Sequence, residues 1–234
     1  MSLSPEDRSS QEPPPDTSWV HTPPGLLARE VANLPLRLLI WIHNRPRRLG
    51  RQRLADLEPP VIFAANHASH LDTPVVLHAL PFRWRRRTSV VAALDYFFRK
   101  RWLGLLVSLL FAALPIERTG LSRTTQQRLE RLFDGGWSLF LFPEGTRSKT
   151  GRMGRVRSGA AFMATRYQVP IVPVYIDGTF RSFPKGSRWP RPRRVTVVFG
   201  EPIPPPDDGD HRAMNEQLKA SLAGLAHELG RDEP

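Results

Sequence analysis

Along this chain, short and almost wholly apolar runs alternate with longer segments in which apolar residues return every third or fourth position. The short runs lie at residues 61–65, 88–94, 112–117, 137–142, 170–176 and 194–199. Their length and continuity predict strands covered on both faces. The longer segments predict helices over 73–80, 95–110, 122–133, 157–167 and 211–229. Thr73 reads as an N-cap with Pro74 at the first helical position, and Gly135-Gly136 stops the 122–133 helix. The alternation predicts the α/β class. Residues 55–234 then form a single domain with a central, mostly parallel or mixed sheet flanked by helices.

The first quarter of the chain has a different pattern. Residues 1–24 contain six prolines, no apolar run and no secretory signal, and read as a disordered tail. From Gly25 to Asn44 the apolar positions take helical spacing, with Pro35 bending or restarting the helix. The basic run 45–53 follows, with Trp41 at the junction. An amphipathic helix feeding a cluster of arginines, together residues 25–54, predicts a segment that lies on an anionic membrane surface. The alternative is a helix packed on the core beside a solvated charge run. No stretch reaches the roughly 18–20 apolar residues that span a bilayer. The longest uncharged run, 102–116, has 15 residues.

Charge sharpens the picture. The 234 residues carry a formal net charge of +12. Residues 1–30 hold 2 basic and 5 acidic side chains, residues 201–234 hold 3 and 8, and residues 31–200 hold 29 and 9. So positive a middle seeks phosphate groups, acidic lipid headgroups or nucleic acid. Only 4 of the 34 basic residues are lysine, and arginine's planar fork suits phosphate. With no cysteine, disulfides, thiolate metal sites and cysteine nucleophiles are excluded.

Two polar clusters stand directly after predicted strands, where α/β folds place their sites. The first is Asn66-His67-Ala68-Ser69-His70-Leu71-Asp72. Residues five apart in a helix diverge by roughly 140°. His67 and Asp72 can therefore meet only across a non-helical turn. Asp72 would then fix the imidazole tautomer and leave the other nitrogen to accept a proton. Alternatively Asp72 only caps the following helix, and His70 competes for the role of base. The second cluster is Phe142-Pro143-Glu144-Gly145-Thr146-Arg147-Ser148. Gly145 permits a tight turn, Thr146 and Ser148 offer hydroxyls, and Arg147 offers a phosphate fork. Glu144 either accepts a substrate hydroxyl or orients an arginine. Arg118, after the 112–117 strand, is a third rim residue or one more surface arginine. Serine-hydrolase, dinucleotide, P-loop and zinc motifs are not found.

In this order these residues resemble the glycerolipid acyltransferase family, typified by 1-acyl-glycerol-3-phosphate acyltransferases. His67 and Asp72 match its His-x4-Asp block, Arg118 its second block, 142–148 its third and 169–174 its hydrophobic-proline fourth. The resemblance covers about residues 55–200. It departs before Arg118, where Ala113 to Glu117 replace the usual glycine and aromatic, and at Ala68, where glutamine is common.

The resemblance implies an O-acyltransferase with His67 as base and Asp72 as its partner. It also implies that Arg118, Glu144, Gly145, Thr146 and Arg147 hold the acceptor. The acceptor would be a lysophospholipid, foremost 1-acyl-glycerol-3-phosphate, or another lysolipid. Acyl-CoA or acyl carrier protein would be co-substrate, with no metal or other cofactor. The enzyme would be peripheral or monotopic on the cytoplasmic membrane face, its partner an anionic membrane surface. The rival reading of the charge, a basic nucleic-acid-binding domain, leaves the pairing of 67–72 with 142–148 unexplained, and no nucleic-acid partner is expected.

Overall fold

The computed structural model of the chain describes residues 16–98, 100–116, 122–184 and 186–231. Seven strands form one sheet: β1 (Arg47–Leu49), β2 (Ile62–Ala65), β3 (Thr88–Ala93), β4 (Leu114–Ile116), β5 (Ser138–Leu141), β6 (Ile171–Asp177) and β7 (Thr196–Phe199). Their order is β1-β7-β6-β2-β5-β3-β4. Neighbouring strands run parallel, except that β7 is antiparallel to β6. This is the α/β sheet with flanking helices that the hydrophobic pattern predicts.

Alternation along the central strands builds two cores. Ile62, Ala64, Leu139 and Leu141 face one side of the sheet, and Phe63, Ala65 and Phe140 face the other. The first side is covered by α7 (Arg123–Asp134), α8 (Gly159–Tyr167) and α10 (His211–Glu228). The second is covered by α2 (Leu34–Asn44), α3 (Asp72–Ala79) and α4 (Phe82–Arg86), which buries Trp84. Both faces of β2 and β5 are thus dry, and every residue in these strands is buried.

Several expectations need correction. The tail expected over 1–24 does not extend over residues 16–24, which are part of the fold; residues 1–15 lie outside the described residues. A 3₁₀ turn at Ser18–His21 buries Val20 fully and sets His21 Nε2 3.0 Å from Ser89 Oγ. The helical stretch of residues 25–44, by contrast, restarts at Pro35 as its sequence implies, giving two helices. The first, α1 (Pro23–Ala32), ends at Asn33, and α2 restarts with Pro35 in its first turn, where no amide hydrogen is needed. Asn33 Nδ2 bonds Arg29 O and Leu110 O, fixing the corner. The 95–110 helix is also divided, into α5 (Leu94–Phe97) and α6 (Arg101–Phe111). Phe98 folds back between them onto Gly104, where a Cβ would fall 2.8 Å from the ring. Short α9 (Thr179–Ser182) and strand β1 carry no periodicity long enough to read.

Many arginines of residues 29–87 are bound within the fold rather than offered to solvent. Arg29, 3% exposed, donates to the Arg85 and Arg86 carbonyls, and its burial pulls its pKa down to about 10. Arg51 donates to Ala79 O at the end of α3. Arg83 reaches Leu54, Ala55 and Leu57 carbonyls, and Arg53 bonds Phe199 O and Glu201. Arg37 and Arg85 share Glu30. Helix ends leave carbonyls unpaired, and these guanidinium groups satisfy several of them. Apolar residues of α1, α2 and α6 remain exposed, including Leu27, Leu38, Trp41 and Trp102. Among the described residues no helix is long and apolar enough to cross a membrane.

Candidate active site

The parallel strands β2, β5 and β6 end on one edge of the sheet, and the two polar clusters meet there. As the chain leaves β2, Asn66 stays in the sheet plane. Its Oδ1 accepts from Ile176 N at 2.7 Å and its Nδ2 donates to Ile176 O at 3.0 Å. This side chain replaces a strand pairing and fixes the direction in which residue 67 departs. Its position between a buried strand and His67 was the signal the sequence held for it.

The turn that follows is built on one carboxylate. Asp72 is fully buried, and its Oδ2 accepts from Ala68 N and Ser69 N, each at 2.7 Å. The same oxygen lies 2.8 Å from His67 Nδ1. A carboxylate can only accept, so Nδ1 carries a proton, and the tautomer of the neutral ring is the one with its lone pair on Nε2. Nε2 has no partner among the described residues. Asp72 begins α3 itself, one residue before the expected cap at Thr73. It therefore shapes the turn and orients the histidine at once. The alternative role, a cap on the following helix, is not taken: the residue before the helix is Leu71, and the Asp72 carboxylate holds amides of the preceding turn.

The second cluster holds His67 from the other side. Glu144, 4% exposed, accepts from His67 N at 2.6 Å and from Gly154 N at 2.7 Å, one amide on each oxygen. Ser148 N donates to His67 O at 2.8 Å. Phe142 stacks on the imidazole, with centroids 3.7 Å apart and planes at 10°. Gly145 adopts φ +71°, which turns the chain between these contacts. Gly154 leaves room for the carboxylate; a Cβ there would stand 2.8 Å from Glu144 Oε2. Phe142 and Gly154 as supports of His67 were not legible in the sequence, because both act across long loops.

The remaining candidates take different places. Thr146 is exposed beside the turn and Arg147 is half-buried, its guanidinium close enough to act on His70. Desolvation of the ring, then the Arg147 charge, hold His70 below the ordinary imidazole range. His70 faces Phe183 and makes no hydrogen bond among the described residues, so the dyad belongs to His67. Arg118 lies outside the described residues. Among those described, no three His, Asp or Glu side chains gather as a metal-binding group.

An imidazole with one nitrogen fixed by a buried carboxylate and the other open at a rim is the arrangement of a general base. Residues 42–177 match the sequence profile of the acyltransferase family. The chain belongs to the acyltransferase family. It is 30% identical over 195 residues to a 1-acyl-sn-glycerol-3-phosphate acyltransferase of Chlamydomonas reinhardtii, covering 79% of this chain and 56% of that protein. It is 31% identical over 159 residues to a chloroplastic 1-acyl-sn-glycerol-3-phosphate acyltransferase of Arabidopsis thaliana, covering 66% of this chain and 42% of that protein. The chain thus spans about half the length of these curated relatives. The crystal structure of the 1-acyl-sn-glycerophosphate acyltransferase PlsC from Thermotoga maritima shares the fold, with a TM-score of 0.70 at 22% identity. That likeness covers 87% of this chain and 80% of that one.

Proposed function

We propose that this acyltransferase moves a fatty acyl group from acyl-CoA or acyl carrier protein to the free hydroxyl of a lysophospholipid. The foremost acceptor is 1-acyl-glycerol-3-phosphate, giving phosphatidic acid. The observation that carries this reading is the joining of His67, Asp72 and the Glu144 turn into one hydrogen-bonded unit at a strand-end rim. The relatives' names support the acceptor.

In the proposed reaction His67 Nε2 takes the proton of the acceptor hydroxyl as its oxygen attacks the thioester carbonyl. Asp72 balances the imidazolium that forms. The tetrahedral adduct collapses, the carbon–sulfur bond breaks, and His67 returns the proton to the leaving thiolate. The alcohol is the nucleophile, so no acyl-enzyme is formed. General-base assistance is worth roughly 10²–10⁴-fold. Arg147, Thr146, the Gly145 turn and Arg118 hold the acceptor's phosphate and glycerol. Glu144 belongs to the same group and also positions His67, whose backbone amide it holds. No metal or resident cofactor takes part.

The protein works as a peripheral or monotopic enzyme on the cytoplasmic face, with the exposed apolar residues of α1, α2 and α6 in the bilayer surface. The test is labelled acyl-CoA with purified protein against a panel of lysolipids differing in headgroup. Transfer is expected to be fastest to 1-acyl-glycerol-3-phosphate. Equal transfer to acceptors without a terminal phosphate would remove the phosphate-binding assignment, and transfer to none would remove the reading.

A further inference from the structure

The positive charge of this chain is concentrated far more tightly than its overall composition indicates. Residues 145–158 contain five basic and no acidic residues, and residues 178–194 contain six and none. The rest of the chain holds 23 basic and 22 acidic side chains, so these two loops account for nearly all of the net +12. The described arginines in them have no carboxylate partner among the described residues. Lys149, Arg152, Arg155 and Arg157 are exposed in the first loop, and Arg181, Arg188, Arg191, Arg193 and Arg194 in the second.

The loops are neighbours on the rim that holds His67. A Cβ on Gly151 would fall 2.6 Å from the Phe180 ring, so the first loop rests against the second. Ser69 Oγ donates to Phe183 O at 2.7 Å, tying the second loop to the His67 turn. The second loop is also bonded to the end of α2. Arg193 N donates to His43 O and Val195 N to Asn44 O, each at 3.0 Å, and Asn44 Nδ2 reaches Ser182 Oγ at 2.9 Å. There α2 exposes Trp41 (62%) and Ile42 (51%), and the loop exposes Trp189 (79%). The loop lies beyond the stretch matched by the family profile.

We infer that residues 178–194 form a second membrane attachment point: Trp189 enters the headgroup boundary, and the exposed basic residues of both loops, Arg147 not among them, bind anionic headgroups. The occupant is a bilayer rather than a folded acidic partner for two reasons. An indole exposed between arginines has the composition of a membrane-interface anchor. The loop also continues directly from the apolar end of α2. With α2 on one side and the loops on the other, the strand-end rim carrying His67 is held at headgroup depth, where a lysolipid can reach it without leaving the membrane. The inference rests on the membrane reading above and adds to it a second location.

The test is co-sedimentation of the full chain with phosphatidylglycerol-containing and pure phosphatidylcholine vesicles. The comparison is between wild type, W189A, a combined R188Q/R191Q/R193Q/R194Q variant and a W41A control on α2, with circular dichroism confirming the fold of each. The combined variant is expected to partition about tenfold or more weakly onto the anionic vesicles, with little change on the neutral ones. W189A is expected to weaken both severalfold. Loop variants that bind like wild type while W41A detaches would overturn the second attachment point and leave the membrane reading standing. A wild type that binds neither vesicle would overturn both. Loop variants that keep vesicle binding but lose affinity for an acyl carrier protein would overturn the assignment in favour of a protein partner.

Discussion

The turn at residues 66–72 and the loop at residues 178–194 border the same end of the sheet and treat polar groups in opposite ways. In the turn nearly every polar group is bonded inward: Asn66 to Ile176, His67 through its backbone to Glu144 and Ser148, and Asp72 Oδ2 to two amides and an imidazole. Left over among the described residues are His67 Nε2, the His70 ring and the second oxygen of Asp72. In the loop the arginine side chains face water and Trp189 stands 79% exposed. A reacting atom must be held within a fraction of an ångström, which takes bonds on every side. A membrane surface has no fixed geometry, so charge held on exposed side chains serves it better.

The largest way to break this contrast is to cut inside the turn. Asp72→Asn puts an N–H or a weaker acceptor against Nδ1, and transfer in a steady-state acyl-CoA assay is expected to fall roughly 10²–10⁴-fold. Glu144→Gln leaves a donor facing a backbone N–H. A denaturant titration is expected to show about 1–3 kcal/mol lost, with kcat lowered because His67 moves. A smaller stability loss with full kcat would mean that the turn holds without Glu144.

Two histidines sharpen the contrast by pH. His21 and His78 are held neutral by burial, His78 also by the Arg48 charge, and each is depressed from 6.5 to about 4. Between those values the unfolded chain binds more protons than the folded one. Their contribution to stability is therefore complete above pH 6.5 and is lost as the pH falls toward 4. Urea midpoints measured across that window are expected to drop with acid, less steeply in a His21→Gln, His78→Gln double variant. Smallest of all, Arg191→Gln in the loop is expected to leave the urea midpoint within about 0.5 kcal/mol of wild type, because it severs nothing inside the fold.

The same division explains what the sequence could and could not reveal. Strands β2, β5 and β6 were legible because dry faces on both sides leave unbroken apolar runs. The His67–Asp72 pair was legible because spacing and a strand end constrain it locally. Glu144 reads as a substrate contact in sequence and becomes a support for His67 in space, since its two amide partners lie 77 and 10 residues away. Strand β1 was hidden because its three residues, Arg47–Leu49, are mostly arginine and pair at a sheet edge with β7. In sequence the basic runs look alike. In fact Arg51, Arg53 and Arg83 are drawn onto backbone carbonyls, while the arginine side chains of 178–194 have no such acceptors among the described residues. Which guanidinium groups turn inward depends on free helix ends nearby, and residue order alone does not carry that.

The central claim is that His67 Nε2, held by Asp72, is the base of the transfer. It is tested most directly by single-turnover transfer of a labelled acyl group from acyl-CoA to 1-acyl-glycerol-3-phosphate, comparing wild type with His67→Ala at equal folded concentration. The account predicts a chemical step slowed roughly 10²-fold or more. A His67→Ala protein that transfers the label at the wild-type rate would contradict it.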